Sequence, residues 1–166
     1  MTTYLHLPNQ SSDYNAASCK TLMRAINISQ GDFSLILAHC NCSQLREEIL
    51  QQIIEQCPLA IQELALDCST RTLYSTITEA LCGEQPNALM VSQLESVNDL
   101  DQLLIATNHA REEFRKLAFP MVLWVTDDVW QKLIRLVPDF ENWATSVEFT
   151  QAVDEHSSDT ELELVA

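Results

Sequence analysis

Apolar residues fall along this chain in two rhythms. Five short continuous runs alternate with longer stretches in which apolar side chains return every third or fourth position. The runs at residues 33–38, 62–67, 88–92 and 121–125, with a weaker one at 147–150, predict strands. The three-four spacing predicts helices over 16–28 (Ala16, Cys19, Leu22, Met23, Ile26), 42–57 (Leu45, Ile49, Ile53, Ile54), 73–82 and 98–117 (Leu100, Leu103, Thr107, Ala110, Phe114, Leu117). A further helix carries Val129, Trp130, Leu133, Ile134 and Val137, capped by Thr126, Asp127 and Asp128. Gly31, Pro58, Gly83 and Pro138 punctuate these segments where helices should stop.

The strands are apolar throughout rather than at alternate positions, as expected when both faces of a sheet are covered. Strands separated by helices imply parallel pairing through crossovers. The fold expected is therefore a three-layer α/β/α sandwich with a mostly parallel five-stranded sheet, forming one domain over 16–152. A polar lead-in over 1–15 precedes it. Residues 153–166 are acidic with few apolar positions, a composition predicted to stay disordered.

Charge and cysteine usage narrow the function classes. The chain carries 24 Asp and Glu against nine Lys and Arg, a net charge of −15. That balance repels phosphate backbones, and no basic cluster offsets it, so no nucleic-acid partner is expected. The longest apolar run is far below the roughly 20 residues a spanning helix needs, which argues against a membrane span. Six scattered cysteines, no Cys-x-x-Cys pair and nothing like a secretory leader predict a reduced, cytoplasmic protein.

The candidate chemistry lies at residues 33–49, FSLILAHCNCSQLREEI, where an apolar strand runs through a turn into an amphipathic helix. A phosphate-binding loop would place glycines and then Lys-Ser or Lys-Thr here. This turn reads His39, Cys40, Asn41, Cys42, Ser43, Gln44, with neither glycine nor lysine. Side chains would fill the space in which glycines let the backbone wrap phosphates. Asp67, Glu95 and Asp127 follow other strands and would repel a polyphosphate, with Arg46 and Arg71 the nearest cations. A triphosphate would thus require Mg²⁺ to bind. What favours binding is the helix N-terminus, whose dipole attracts anions.

Three long segments carry a family resemblance: FSLILAHCNCSQLREEIL, LALDCSTRTLYSTITEAL and the stretch from PNALMVSQLESVNDL through WATSVEF. Together they resemble the N-terminal NTPase-like domain of bacterial, notably cyanobacterial, tetratricopeptide-repeat proteins of the STAND class, over about 18–149. The most specific pieces are Cys40-Asn41 with Leu45-Arg46, Asn108 with Arg111 and Phe114, the strand at 120–125, and Pro138-Asp139-Phe140 with Trp143. The resemblance implies a P-loop NTPase-like fold with residues 88–95 as the Walker B strand. Where that family ends the strand Gly-Leu-Glu, this chain has Gln93-Leu94-Glu95. It also implies a degenerate phosphate loop. Family members continue into helical repeats, whereas here the acidic stretch follows.

These features point to a non-enzymatic regulatory or scaffolding protein that works through protein contacts and needs no cofactor. The rival is an ATP- or GTP-binding signalling domain using Mg-ATP, with Asn41 and Ser43 on the phosphates and Glu95 on the metal. A receiver-like phosphoacceptor reading from Asp67 and Asp127 fails for want of the paired acid and late lysine. His39, Cys40 and Cys42 lie too close in sequence to close a tetrahedral metal site. Trp130, Phe140 and Trp143 are the candidate protein-contact residues, with core packing as the alternative role and the expected role of Trp124.

Overall fold

The computed structural model describes residues 10–151. Its elements are α1 (Gln10–Ile28), β1 (Ser34–His39), α2 (Ser43–Gln56), β2 (Ile61–Ala65), α3 (Leu73–Leu81), β3 (Ala88–Ser92), α4 (Leu100–His109), α5 (Arg111–Phe114), β4 (Pro120–Val125), α6 (Asp127–Leu136), α7 (Pro138–Glu141) and β5 (Ala144–Glu148). A short 3₁₀ turn at Leu94–Ser96 follows β3.

All five strands pair in parallel, in the order β2-β3-β4-β1-β5. The predicted three-layer sandwich is thus the observed architecture. Alternation along the strands divides the core in two. Leu35, Leu37, Leu89, Val91, Met121, Leu123 and Val125 face one layer, with Leu73 and Ile77 of α3, Leu103 of α4 and Val129 and Leu133 of α6. Ile36, Ala38, Met90, Val122, Trp124 and Val147 face the other, with Leu22 and Ile26 of α1 and Ile49 and Ile53 of α2.

This division follows from strand order. The β1→β2 connection travels one way across the sheet, and the three later connections travel the other way. Crossovers of one hand that run in opposite directions must lie on opposite faces. So α2 covers one face and α3, α4 and α6 the other. β1 and β4 therefore send their following helices to opposite sides, which puts the topological switch point at their carboxyl ends.

Several boundaries differ from the periodicity. α1 begins at Gln10, six residues before the expected start, so part of the expected lead-in is helical. Side-chain pairing explains the extension. The Asn15 amide donates to the Thr150 carbonyl (2.8 Å) and accepts from the Thr150 N–H (2.9 Å), anchoring polar turns that apolar spacing does not reveal. The helix expected over 98–117 is two helices broken at Ala110, which has φ −93° and ψ 7°. There the Arg111 guanidinium donates to the Asn108 carbonyl (3.0 Å), taking over a terminal acceptor as basic residues do at helix ends. The break turns Phe114 into the core against Phe33, Tyr74 and Phe140. Pro138 ends α6 and also opens α7 from its first position. Residues 153–166, expected to be disordered, lie outside the described residues.

Candidate functional site

Three residues, Cys40–Cys42, join β1 to α2. A phosphate-binding loop spends about eight residues on this connection. The present turn is therefore short as well as free of glycine and lysine. Its backbone stays tied to the sheet: the Cys40 N–H donates to the Val125 carbonyl (2.9 Å), extending the β1–β4 ladder past its last pair. Cys42 occupies the N-cap with no side-chain cap bond. The buried Cys40 thiol donates to the Cys42 carbonyl (3.3 Å), and burial pushes its pKa up, against a smaller lowering by that bond.

Asn41 closes the crevice at the switch point. Its Nδ2 donates to Asp127 Oδ2 (2.9 Å), and its Oδ1 accepts from the Asp127 backbone N–H (2.9 Å). One side chain thus ties the turn after β1 to the first residue of α6. Beneath this clasp sits His39, 8% exposed, with Nδ1 3.7 Å from Asp127 Oδ1. Its ring meets the Trp130 ring edge to face at 4.7 Å. Its Nε2 is buried with no hydrogen-bond partner among the described residues.

A second clasp crosses the carboxyl edge. Arg46, in the first turn of α2 and 3% exposed, donates through Nη1 to Glu95 Oε1 at 2.6 Å. Glu95 belongs to the 3₁₀ turn after β3, so the pair spans the end of β4. Gln93 opens that turn with φ +70°, the left-handed conformation that glycine enters without cost. It is the position at which the resembling family carries its glycine.

Of the sequence-predicted contacts, Asn41 and Ser43 lie together at the start of α2, beside a 510 Å³ cavity also lined by Cys42, Leu45, Phe149, Thr150 and Gln151. Glu95 is not brought to them; Arg46 takes it instead. The Asn41 amide is likewise committed on both its oxygen and its nitrogen. Beyond Glu95 opens a 410 Å³ cleft whose walls include Asp99, Asp101, Asp128 and Lys132. Lys132 holds the Asp101 carboxylate (2.7 Å) and lowers its pKa, so the cleft faces solvent as a predominantly negative surface. At the second strand's end, Asp67 accepts from the Ser69 hydroxyl (2.7 Å) and Ser69 N–H (2.8 Å), which lowers its pKa. Arg71 stands exposed on the wall of a neighbouring 590 Å³ cavity. No group of three or more His, Cys, Asp or Glu among the described residues is arranged to hold a metal ion.

The aromatic residues do not form one patch. Trp130 lies half-buried on His39 at the carboxyl end, whereas Phe140 and Trp143 immediately precede β5 at the opposite end. Phe140 is fully buried, because the break at Ala110 brings Phe114 against it at 5.0 Å. Trp143 packs on Phe140 and carries the Arg115 guanidinium 4.5 Å above its ring. Trp124 fills the sheet interior, as expected.

Sequence reasoning missed the role of Arg46. The available signals were its place among few cations and in the Leu45-Arg46 piece of the resemblance; burial and the Glu95 partner, 49 residues away, are products of the fold.

No protein-family model matches this chain, and no curated protein matches it in sequence. No helix among the described residues is long and apolar enough to cross a membrane. Among solved structures, the chain is similar to the ADP form of the Aeropyrum pernix ORC2 protein at 10% identity and a TM-score of 0.46. That match covers 89% of this chain and 50% of the other, so this chain spans half of its length. Likeness at this level carries no inference about activity.

Proposed function

We propose that this chain is a non-enzymatic regulatory or scaffolding domain, built on a degenerate P-loop NTPase-like framework of the STAND type and acting through protein contacts. The supporting observation is that its own side chains occupy the switch-point crevice, where ligands bind in open parallel sheets. Asn41 clasps Asp127 across the crevice, and Arg46 is held on Glu95. A phosphate arriving there would have to displace a carboxylate from the buried guanidinium and break two hydrogen bonds. It would also approach the acids of the adjoining cleft.

Contacts with a protein partner are assigned to the region 127–145. Ile134 of α6 is 43% exposed, and Ile105 of α4, the helix packed beside α6, is 38% exposed. The test is quantitative affinity purification of the full chain beside Ile134→Glu. A partner retained by the parent and lost by the folded variant supports the reading. Equal recovery of every associated protein by both overturns it.

A second reading keeps nucleotide binding, with Mg-ATP at the α2 N-terminus. What favours it is the exposed Ser43 and the cavity beside it. Titration calorimetry with Mg-ATP and Mg-GTP separates the two: saturable heat favours binding, and none up to millimolar nucleotide favours the scaffold.

A further inference from the structure

α1 and α2 run side by side down one face of the sheet, and a groove follows their seam. At the carboxyl end of the sheet it is lined by Asn15, Cys19, Leu45, Glu48 and Ile49, and by Thr150 and Gln151 as the chain leaves β5. At the amino end of the same seam lies a second hollow, of 560 Å³, with an apolar floor of Met23, Ile28, Cys57 and Pro58. Lys20 and Arg24, one helical turn apart on α1, stand on its wall. Ile28 is 77% exposed, the most exposed large apolar residue described.

Of the nine Lys and Arg, Arg46, Arg115, Lys116 and Lys132 are each paired with a carboxylate, and Arg111 caps a helix. Lys20 and Arg24, like Arg71 and Arg135, have no ion-pair partner among the described residues; what sets Lys20 and Arg24 apart is that they stand one turn apart on one helix beside the same hollow. An apolar hollow bearing two unpaired cations, in a chain of net charge −15, calls for an acidic segment with apolar side chains.

We propose that residues 152–166 of this same chain, AVDEHSSDTELELVA, dock along the α1–α2 groove. The acids of this segment (Asp159, Glu161, Glu163) complement the charge of Lys20 and Arg24, and its Leu162 and Leu164 match the apolar floor in chemistry. The point of departure favours this occupant. The double hydrogen bond between Asn15 and Thr150 delivers the chain to the mouth of the groove on α1 itself. From Asn15 to Arg24 is about 14 Å of helix, and the eight residues from Gln151 to Asp159 reach up to about 26 Å when extended. Glu48 near the mouth disfavours contact there, so the acids pass it and reach the cations beyond. Tethering gives the segment a local concentration in the millimolar range, enough to keep even a weak contact mostly formed.

Hydrogen exchange by mass spectrometry on the full chain provides the test. The parent is compared with Lys20→Glu/Arg24→Glu, with Asp159→Lys/Glu161→Lys/Glu163→Lys, and with the combination of both sets. Either set alone should speed exchange over 20–28 by about two- to fivefold, the loss expected for a contact held at millimolar effective concentration. The combination should restore the parent rates, and about 0.5 M salt should weaken protection in the parent. Unchanged exchange in both single sets, or no restoration in the combination, overturns the proposal. So does protection that disappears on tenfold dilution, which would assign the groove to a second copy. Should the α1 variant fail to fold, the variant outside α1 still carries the comparison.

Discussion

Glu95→Ala tests the clasp that holds Arg46. The Arg46 side chain is 3% exposed and its Nε is buried without a partner among the described residues, so its charge relies on the 2.6 Å contact with Glu95. Removing one member of a fully buried pair costs about 3–5 kcal/mol, because the remaining charge stays desolvated. Glu95 is itself 29% exposed, and water can reach its vacated side. The expected loss is accordingly smaller, about 2–3 kcal/mol after allowance for that screening. In a chain of this size that lowers Tm by about 4–12 °C. Urea unfolding followed by tryptophan fluorescence measures it, with the fully buried Trp124 as the main reporter. The double variant Arg46→Met/Glu95→Leu should recover to within about 1 kcal/mol of the parent, since an apolar pair of similar volume removes both desolvation costs. A loss below about 0.5 kcal/mol for Glu95→Ala would refute the reasoning, as that is the range of ordinary surface changes.

Other consequences of the geometry are open to measurement. Asn41→Ala removes both bonds to Asp127 and should cost about 1 kcal/mol in urea unfolding, since these are exposed hydrogen bonds. Gln93→Gly relieves a left-handed backbone but adds unfolded-state freedom, so stability should change by no more than about 1 kcal/mol upward, whereas Gln93→Val should destabilise. Asp67 and Asp101 have lowered pKa values, held down chiefly by the Ser69 hydroxyl and by Lys132 respectively. Their contribution is therefore complete above the ordinary Asp value of about 4 and fades as pH falls below it, and replacing both by Asn should flatten the acid limb of a Tm-against-pH curve. Thiol labelling of the native protein should modify exposed Cys68 and Cys82 first; buried Cys19 and Cys40, whose pKa values burial raises, should react last.

The sheet was legible because its signal is local. Runs such as Leu35–Leu37 and Met121–Val125 are apolar on both faces, a pattern only a covered strand needs, and strand-helix alternation then implies parallel pairing. The helix breaks were less legible. Ala110 has no breaking tendency of its own, and the kink rests on Arg111 capping Asn108 and on the pull of the core on Phe114. The beginning of α1 depends on Asn15 pairing with a residue 135 positions later. The same holds at the site. The missing glycines and lysine could be read directly, but the clasps that fill the crevice join residues 86 and 49 positions apart. Burial of Phe140 was hidden for the same reason, since its neighbour Phe114 arrives only after the break.

Occupation of the switch-point crevice by Asn41–Asp127 and Arg46–Glu95 is the central claim, and thermal unfolding of the parent protein with 5 mM Mg-ATP tests it directly. A site with a Kd of 100 µM would stabilise the fold by about 2.3 kcal/mol at that concentration, raising Tm by about 5–9 °C. The closed crevice predicts a shift within about 1 °C of a magnesium-only control. A rise of several degrees that grows with the logarithm of nucleotide concentration and is abolished by Ser43→Glu would contradict it.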